Sequence, residues 1–130
     1  MSNKPILCVD FDGVIHSYTS GWKGEGVVSD PPVPGALAWL WSAMEHWDVQ
    51  IYSSRSRTPE GVGAMQTWLR EHGAKEFGEN VIGMFMQGIK FPTQKPSAFL
   101  TIDDRAICFN GDFTAIPPRD LLSFKPWNKL

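Results

Sequence analysis

The sequence has only two cysteines, no long apolar run and no excess of basic residues. Cys8 and Cys108 lie in apolar stretches without the paired Cys and His spacing of a zinc site, so we interpret both as reduced core residues. The first apolar run, residues 6–9, is too short for the core of a signal peptide or for a membrane span. We therefore expect a cytoplasmic protein without a membrane partner.

The charge balance excludes a protein that coats nucleic acid non-specifically. Such a protein needs a basic surface, whereas this chain has a formal net charge of −2. Hydrophobic residues make up 42% and charged residues 20%, which is ordinary for a globular protein. A chain of 130 residues suits one domain, so we assign residues 1–130 to a single unit, with no indication of oligomeric state.

Three apolar runs have the length and composition of strands, and the first of them suits a buried central strand of a parallel sheet. They are residues 5–9, 49–52 and 98–102. Helical patterns separate the first two runs and follow the second, and this alternation favours right-handed crossovers and a mostly parallel sheet. The predicted fold is α/β, a Rossmann-like three-layer sandwich around a mostly parallel central sheet.

Two helices are predicted from periodicity and capping signals. The first has an apolar stripe at i, i+3, i+4 and i+7, formed by Leu37, Leu40, Trp41 and Met44. The second begins at Thr58-Pro59-Glu60 and is expected to end at Gly73. Weaker patterns predict short strands within residues 81–91 and 107–109 and a helix over 119–124. The tryptophans at helical positions are interpreted as core residues: Trp39, Trp41 and Trp68.

Polar residues follow each of the three main strands. They are Asp10 and Asp12, then Ser53, then Asp103 and Asp104. Because ligands bind outside the carboxyl ends of parallel strands, we expect these side chains to meet at one edge of the sheet.

Such a set suits phosphoryl transfer. Of Asp10 and Asp12, one carboxylate can attack phosphorus, and the other can protonate the leaving oxygen and later deprotonate water. Four neighbouring acids raise each other's pKa unless a cation neutralises them, and Mg²⁺ suits carboxylate and phosphate oxygens. Ser53 and Lys95 can hold the remaining phosphoryl oxygens.

The order of these motifs resembles the haloacid dehalogenase (HAD) superfamily. DFDG at 10–13, SSR at 53–55, a lysine, and IDDR at 102–105 span most of the chain. The resemblance implies a HAD-like fold with Asp10 as the nucleophile and Asp12 as the general acid and base, its backbone carbonyl a ligand to Mg²⁺. It also implies Asp103 and Asp104 as metal ligands, with Asp103 the direct one.

The resemblance also assigns the groups that bind the substrate phosphate. Ser53 matches the hydroxyl of the second motif, with Ser54 and Arg55 beside it. Two alternatives stay open here, since Ser53 could instead cap the loop and Ser54 replace it. Lys95 matches the lysine of the third motif, and Lys90 is its alternative because Lys95 precedes the last strand without an intervening helix.

No insertion is long enough for a cap domain, so the resemblance implies an open site. Residues 16–34 form a flap-like loop that carries Tyr18, Trp22 and Lys23, an aromatic and cationic mixture suited to a base and a phosphate. We expect a phosphomonoester hydrolase, with nucleotides or polynucleotide ends as the favoured substrates. His16 is assigned no role, because a single loop histidine is usually exposed.

Other functions use the same residue types. A phosphate-binding module of this fold without turnover and a phosphotransferase both fit the motifs. A phospho-signal receiver is disfavoured, because in a receiver the acidic pair ends the first strand and the lone aspartate comes later. Here the order is reversed.

Overall fold

The computed structural model describes residues 3–129, which form an α/β fold. Its four strands make one parallel sheet in the order β3-β2-β1-β4. The strands are β1 (Ile6–Val9), β2 (Asp48–Ile51), β3 (Ile89–Lys90) and β4 (Leu100–Ile102). The α-helices are α1 (Ala36–Ala43), α2 (Pro59–Phe77) and α3 (Glu79–Gln87). The predicted α/β class and parallel sheet are confirmed.

Helix α2 begins where its capping signals predict. The Thr58 hydroxyl accepts the backbone N–H of Gly61 at 3.1 Å, and Pro59 occupies the first turn. The expected end of α2 at Gly73 is wrong, because the helix continues through this residue. Gly73 is buried and lets α3 pack closely against α2, since a Cβ here would crowd Ile82. The helix ends instead at Gly78, whose φ of 90° lies in the left-handed region that glycine adopts readily.

Residues 81–91 are mainly helical, which corrects the expected strands. Ile82, Phe85 and Met86 lie on one buried face of α3, at a spacing that a helix satisfies and a strand does not. Only β3 is extended in this region. Residues 107–109 form no strand, and the expected helix over 119–124 is a 3₁₀ turn, Asp120–Ser123.

The core lies on one face of the sheet. Leu7 and Val9 of β1 face the same side as Val49 and Ile51 of β2, and buried side chains of all three helices join them in one cluster. The opposite face carries Cys8 and Gln50, both buried. The return from β3 to β4, residues 91–99, contains no helix. Within residues 3–129 the helices therefore make one layer, and the expected three-layer sandwich is not seen.

Two of the residues expected in the core lie elsewhere. Cys8 is buried as predicted, but Cys108 is exposed, because the chain after β4 does not return to the sheet. Trp68 is buried and Trp41 is partly buried against the core, whereas Trp39 is 48% exposed. Trp39 lies outside the apolar stripe of α1 that faces the sheet, so its position within a helix was not sufficient to predict whether it is buried.

The C-terminal segment returns to the loop after β1. The Trp127 indole Nε1–H donates to the Gly13 carbonyl at 2.7 Å, and the Asn128 amide donates to the Ser17 carbonyl at 3.0 Å. Among the helices of the described residues, none combines the length and apolar character needed to cross a bilayer.

Candidate active site

The register of the sheet brings the predicted acids together. Strand β1 lies between β2 and β4, with Val9 beside both Ile51 and Ile102. The Asp10 N–H donates to the Ile102 carbonyl at 2.9 Å, which places Asp10 next to Asp103 at the carboxyl edge. Carboxylate oxygens of Asp10, Asp103 and Asp104 lie within 4.8 Å of one another. Three of the four acids expected at this edge therefore converge, and Asp12 is not among them.

Burial and neighbouring charges disfavour ionisation of Asp10 and Asp104. Burial, together with the charges of Asp103 and Asp104, raises the pKa of Asp10 to about 8, despite the hydrogen bond from the Phe11 N–H. Burial and the charge of Asp103 also raise the pKa of Asp104. Three converging carboxylates are a donor set that fits a hard divalent cation, and the raised pKa values of Asp10 and Asp104 show that two of them lack a compensating charge. Asp10, Asp103 and Asp104 therefore fit the expected magnesium ion.

Gly13 gives Asp104 its place in the cluster. Its φ of 84° is left-handed, and a Cβ on this residue would overlap the Asp104 carboxylate. Asp104 is thus packed against the glycine of the DFDG segment, with only 3% of its side chain exposed. Asp103 is more exposed, and its Oδ1 accepts the backbone N–H of Arg105 at 2.8 Å.

Asp12 lies in a different environment from Asp10. Its carboxylate accepts hydrogen bonds from Arg55 Nε at 2.9 Å and from a terminal guanidinium nitrogen at 3.2 Å. His16 Nδ1 lies 2.8 Å from the same carboxylate. Burial acts to raise the pKa of Asp12, but the hydrogen bonds and charges of these partners outweigh burial and lower it. Asp12 is therefore held ionised, whereas the raised pKa of Asp10 favours its protonated form.

His16 is a site residue that the sequence reasoning missed. It is 1% exposed, and its Nε2 accepts the backbone N–H of Asp30 at 3.0 Å. The ring proton therefore lies on Nδ1, which donates to Asp12. The only sequence signal for its burial was the apolar pair Val14-Ile15 before it. The partners that bury it come from further along the flap and from Trp68.

Arg55 is not directed toward an open phosphate site, which corrects its predicted substrate-binding role. Its side chain is fully buried, and besides Asp12 it donates to the carbonyls of Gly24 and Glu25 at 3.1 and 2.7 Å. It therefore joins the loop after β1 to the flap and to the turn after β2.

Ser53 has the capping role that the sequence reasoning left open. It is 5% exposed, its Oγ accepts the Arg55 N–H at 2.9 Å, and Oγ also donates to the Met65 sulfur at 3.6 Å. Its hydroxyl thus caps the 3₁₀ turn Ser54–Arg57. Ser54 is exposed and borders the same pocket as the acids. Of the two serines, Ser54 lines this cavity and Ser53 does not.

The two candidate lysines lie in different places. Lys90 pairs with Asp48, with 3.1 Å between its Nζ and the carboxylate. Asp48 is the first residue of β2, so this ion pair lies at the amino edge of the sheet, away from the acids. Lys95 is exposed, and its charge, like those of Asp10 and Asp103, acts on Cys8. Burial raises the pKa of this thiol, and Lys95 partly offsets the increase. Lys95 and the acids Asp10 and Asp103 therefore act on the same thiol, whereas Lys90 is paired with Asp48 at the opposite edge of the sheet.

A cavity of about 190 Å³ opens at the acids. Its lining residues come from four segments: Asp10, Asp12, Tyr18, Trp22, Ser54, Asp104 and Arg105. The flap therefore supplies one wall of the cavity, and the segment after β4 supplies another.

Comparison of the chain with protein-family models, with curated proteins and with solved structures found no match.

Proposed function

We propose that this protein is a magnesium-dependent phosphomonoester hydrolase of HAD type that works through an aspartyl-phosphate on Asp10. The observation that carries the proposal is the convergence of Asp10, Asp103 and Asp104, with ligand atoms within 4.8 Å, at the carboxyl edge of a parallel sheet. The DFDG, SSR and IDDR segments, in that order along the chain, support the same assignment.

Asp10, Asp103 and Asp104 would hold the magnesium ion. When bound, the ion would supply positive charge that favours the ionised forms of Asp10 and Asp104 beside a phosphate dianion. The ionised form of Asp10 is the nucleophilic one, so neutralisation of the cluster is a requirement of the chemistry and not an accessory to it.

In the first step an Asp10 carboxylate oxygen attacks phosphorus. The new bond from Asp10 to phosphorus forms as the bond from phosphorus to the leaving oxygen breaks, and the leaving oxygen takes up a proton from solvent water. The exposed Ser54 hydroxyl at the cavity wall is placed to donate to a phosphoryl oxygen. We assign Lys95 as a further positive charge near the acids.

In the second step water attacks the phosphorus of the aspartyl-phosphate. Asp12 accepts a proton from this water, the Asp10–phosphorus bond breaks, and inorganic phosphate leaves. The ion pair with Arg55 keeps Asp12 ionised and ready to act as this base. Because the ion pair opposes protonation of Asp12, we assign Asp12 as the base of this second step and not as the acid of the first.

The test is a panel of phosphoesters assayed with Mg²⁺ against wild type and Asp10→Asn. The nearly isosteric change should abolish turnover and leave the circular dichroism spectrum unchanged. Asp48→Asn is the matched control, because Asp48 also lies at a strand end but at the opposite edge of the sheet. An Asp10→Asn protein with the wild-type rate would overturn the nucleophile assignment. Binding of a phosphoester by the wild type, without hydrolysis of any panel member, would indicate a module that has no turnover.

A further inference from the structure

We propose that the substrate is a phosphorylated nucleoside whose base lies against Trp22 and Tyr18 while its phosphate lies between the acids and Arg105. The inference rests on the proposed function and specifies its substrate class. Three features of the cavity carry it: Trp22 and Tyr18, which come from the flap, and Arg105, which comes from the segment after β4.

The first feature is the position of Trp22. Its ring is 49% exposed and borders the cavity, yet it lies 4.8 Å from the guanidinium carbon of the buried Arg55. Arg55 is in turn held by Asp12 and by the carbonyls of Gly24 and Glu25. The contact with the Arg55 guanidinium holds the Trp22 ring in position, so the ring offers a pre-positioned surface for stacking. Pre-positioning lowers the entropy cost of binding.

The second feature is Tyr18, which borders the same cavity. It is the one non-glycine residue with positive φ, 60°, among residues 3–129. Left-handed backbone is unfavourable for an aromatic residue and tends to persist at functional positions. The ring lies edge-on to His16 at 5.9 Å, so the residue that orients Asp12 also supports the aromatic wall.

The third feature is Arg105, the basic residue among those that line this cavity. Its side chain is 61% exposed, and its Nε lies 3.9 Å from Asp104, beyond hydrogen-bond distance. The guanidinium therefore retains donors for a phosphate oxygen beside the acid cluster.

The difference in exposure of these groups favours a nucleotide over a phosphorylated tyrosine. Asp104 has only 3% of its side chain exposed, whereas Trp22 is 49% exposed. In a nucleotide the sugar spaces the phosphate from the base, so the phosphate can lie at the buried acid while the base lies at the exposed tryptophan. In phosphotyrosine the ring is joined directly to the phosphate, so the ring would lie beside the acids.

The experiment compares adenosine 5′-monophosphate with ribose 5-phosphate, which has the same leaving alcohol but no base. Stacking on an aromatic side chain should favour the nucleotide in kcat/KM by about 5- to 150-fold in the wild type. Trp22→Leu should remove this preference. Trp39→Leu is the matched control, since Trp39 is 48% exposed but does not line this cavity, and it should keep the preference. Arg105→Gln should raise KM for both compounds by a similar factor, because it contacts the phosphate.

Calorimetric binding of both compounds to the same proteins, with Mg²⁺, separates failure of this inference from failure of the proposed function. Trp22-dependent binding of the nucleotide without hydrolysis would sustain the inference and overturn the function. Equal hydrolysis of both compounds, with no change in Trp22→Leu, would overturn the inference and sustain the function. Preferred hydrolysis of phosphotyrosine would have the same meaning. A 5′- or 3′-phosphorylated single-stranded oligonucleotide, compared with the mononucleotide, shows whether the nucleoside is free or terminal in a strand. Either result supports the class.

Discussion

Removal of the Arg55 guanidinium should destabilise the fold more than the loss of any exposed arginine. Arg55 is fully buried and joins three segments through Asp12, Gly24 and Glu25. Arg55→Met keeps much of the side-chain volume but leaves the Asp12 carboxylate buried without its cation. Breaking a buried ion pair on one side costs about 3–5 kcal/mol, a large part of the roughly 5–15 kcal/mol that stabilises a domain.

That loss corresponds to a fall in Tm of roughly 10–20 °C for a chain of this size. Thermal and urea denaturation followed by circular dichroism measure it. Arg57→Met is the matched control, because Arg57 lies in the same 3₁₀ turn but is exposed, and its loss should change stability by no more than about 0.5 kcal/mol.

A second variant separates the ion pair from side-chain packing. The double change Asp12→Asn with Arg55→Met leaves no uncompensated charge, so it should recover at least about 1 kcal/mol relative to Arg55→Met alone. The pKa of Asp12 is lowered in the folded protein, so its contribution is present at neutral pH and is lost as the pH falls through that lowered value. The difference between wild type and Arg55→Met should therefore shrink in acid. Equal stability of Arg55→Met and Arg57→Met would refute this account of Arg55.

Two further predictions concern the acid cluster. Gly13→Ala should weaken Mg²⁺ binding measured by calorimetry, because the new Cβ displaces Asp104. Gly21→Ala is the matched control, since Gly21 has a similar φ of 80° but no atom within 4 Å of the added Cβ. This control should cost only backbone strain of about 1–2 kcal/mol and leave the Mg²⁺ affinity unchanged. Equal Mg²⁺ affinities in the two variants would contradict the proposed packing of Gly13 on Asp104. The pKa of Asp10 is raised from 3.8 to about 8, so its contribution to stability is fully present below the lower value and is lost as the pH rises toward the higher one. Mg²⁺ should therefore raise Tm more at about pH 8 than at about pH 5.5, and a shift independent of pH, or retained in Asp104→Asn, would count against a metal at this cluster.

Several assignments failed where a residue's role depends on segments distant in the chain. Arg55 was expected at the substrate because it follows Ser53, yet its carboxylate partner is 43 residues away. His16 was left aside as an exposed loop residue, yet the return of the flap buries it. Residues 81–91 contain glycines and apolar residues that suit a short strand or a helix equally, and packing against α2 decides for the helix.

The sequence by itself determined which residues end the strands and, through the parallel topology, that Asp10, Asp103 and Asp104 share one edge. These are local properties, because each acid directly follows a short apolar run and aspartate is disfavoured within a strand. Only the tertiary structure decided which serine faces the cavity, which carboxylate is ion-paired and which is crowded by other acids. Those differences depend on hydrogen bonds and burial that form between segments far apart in sequence, and no local pattern records them.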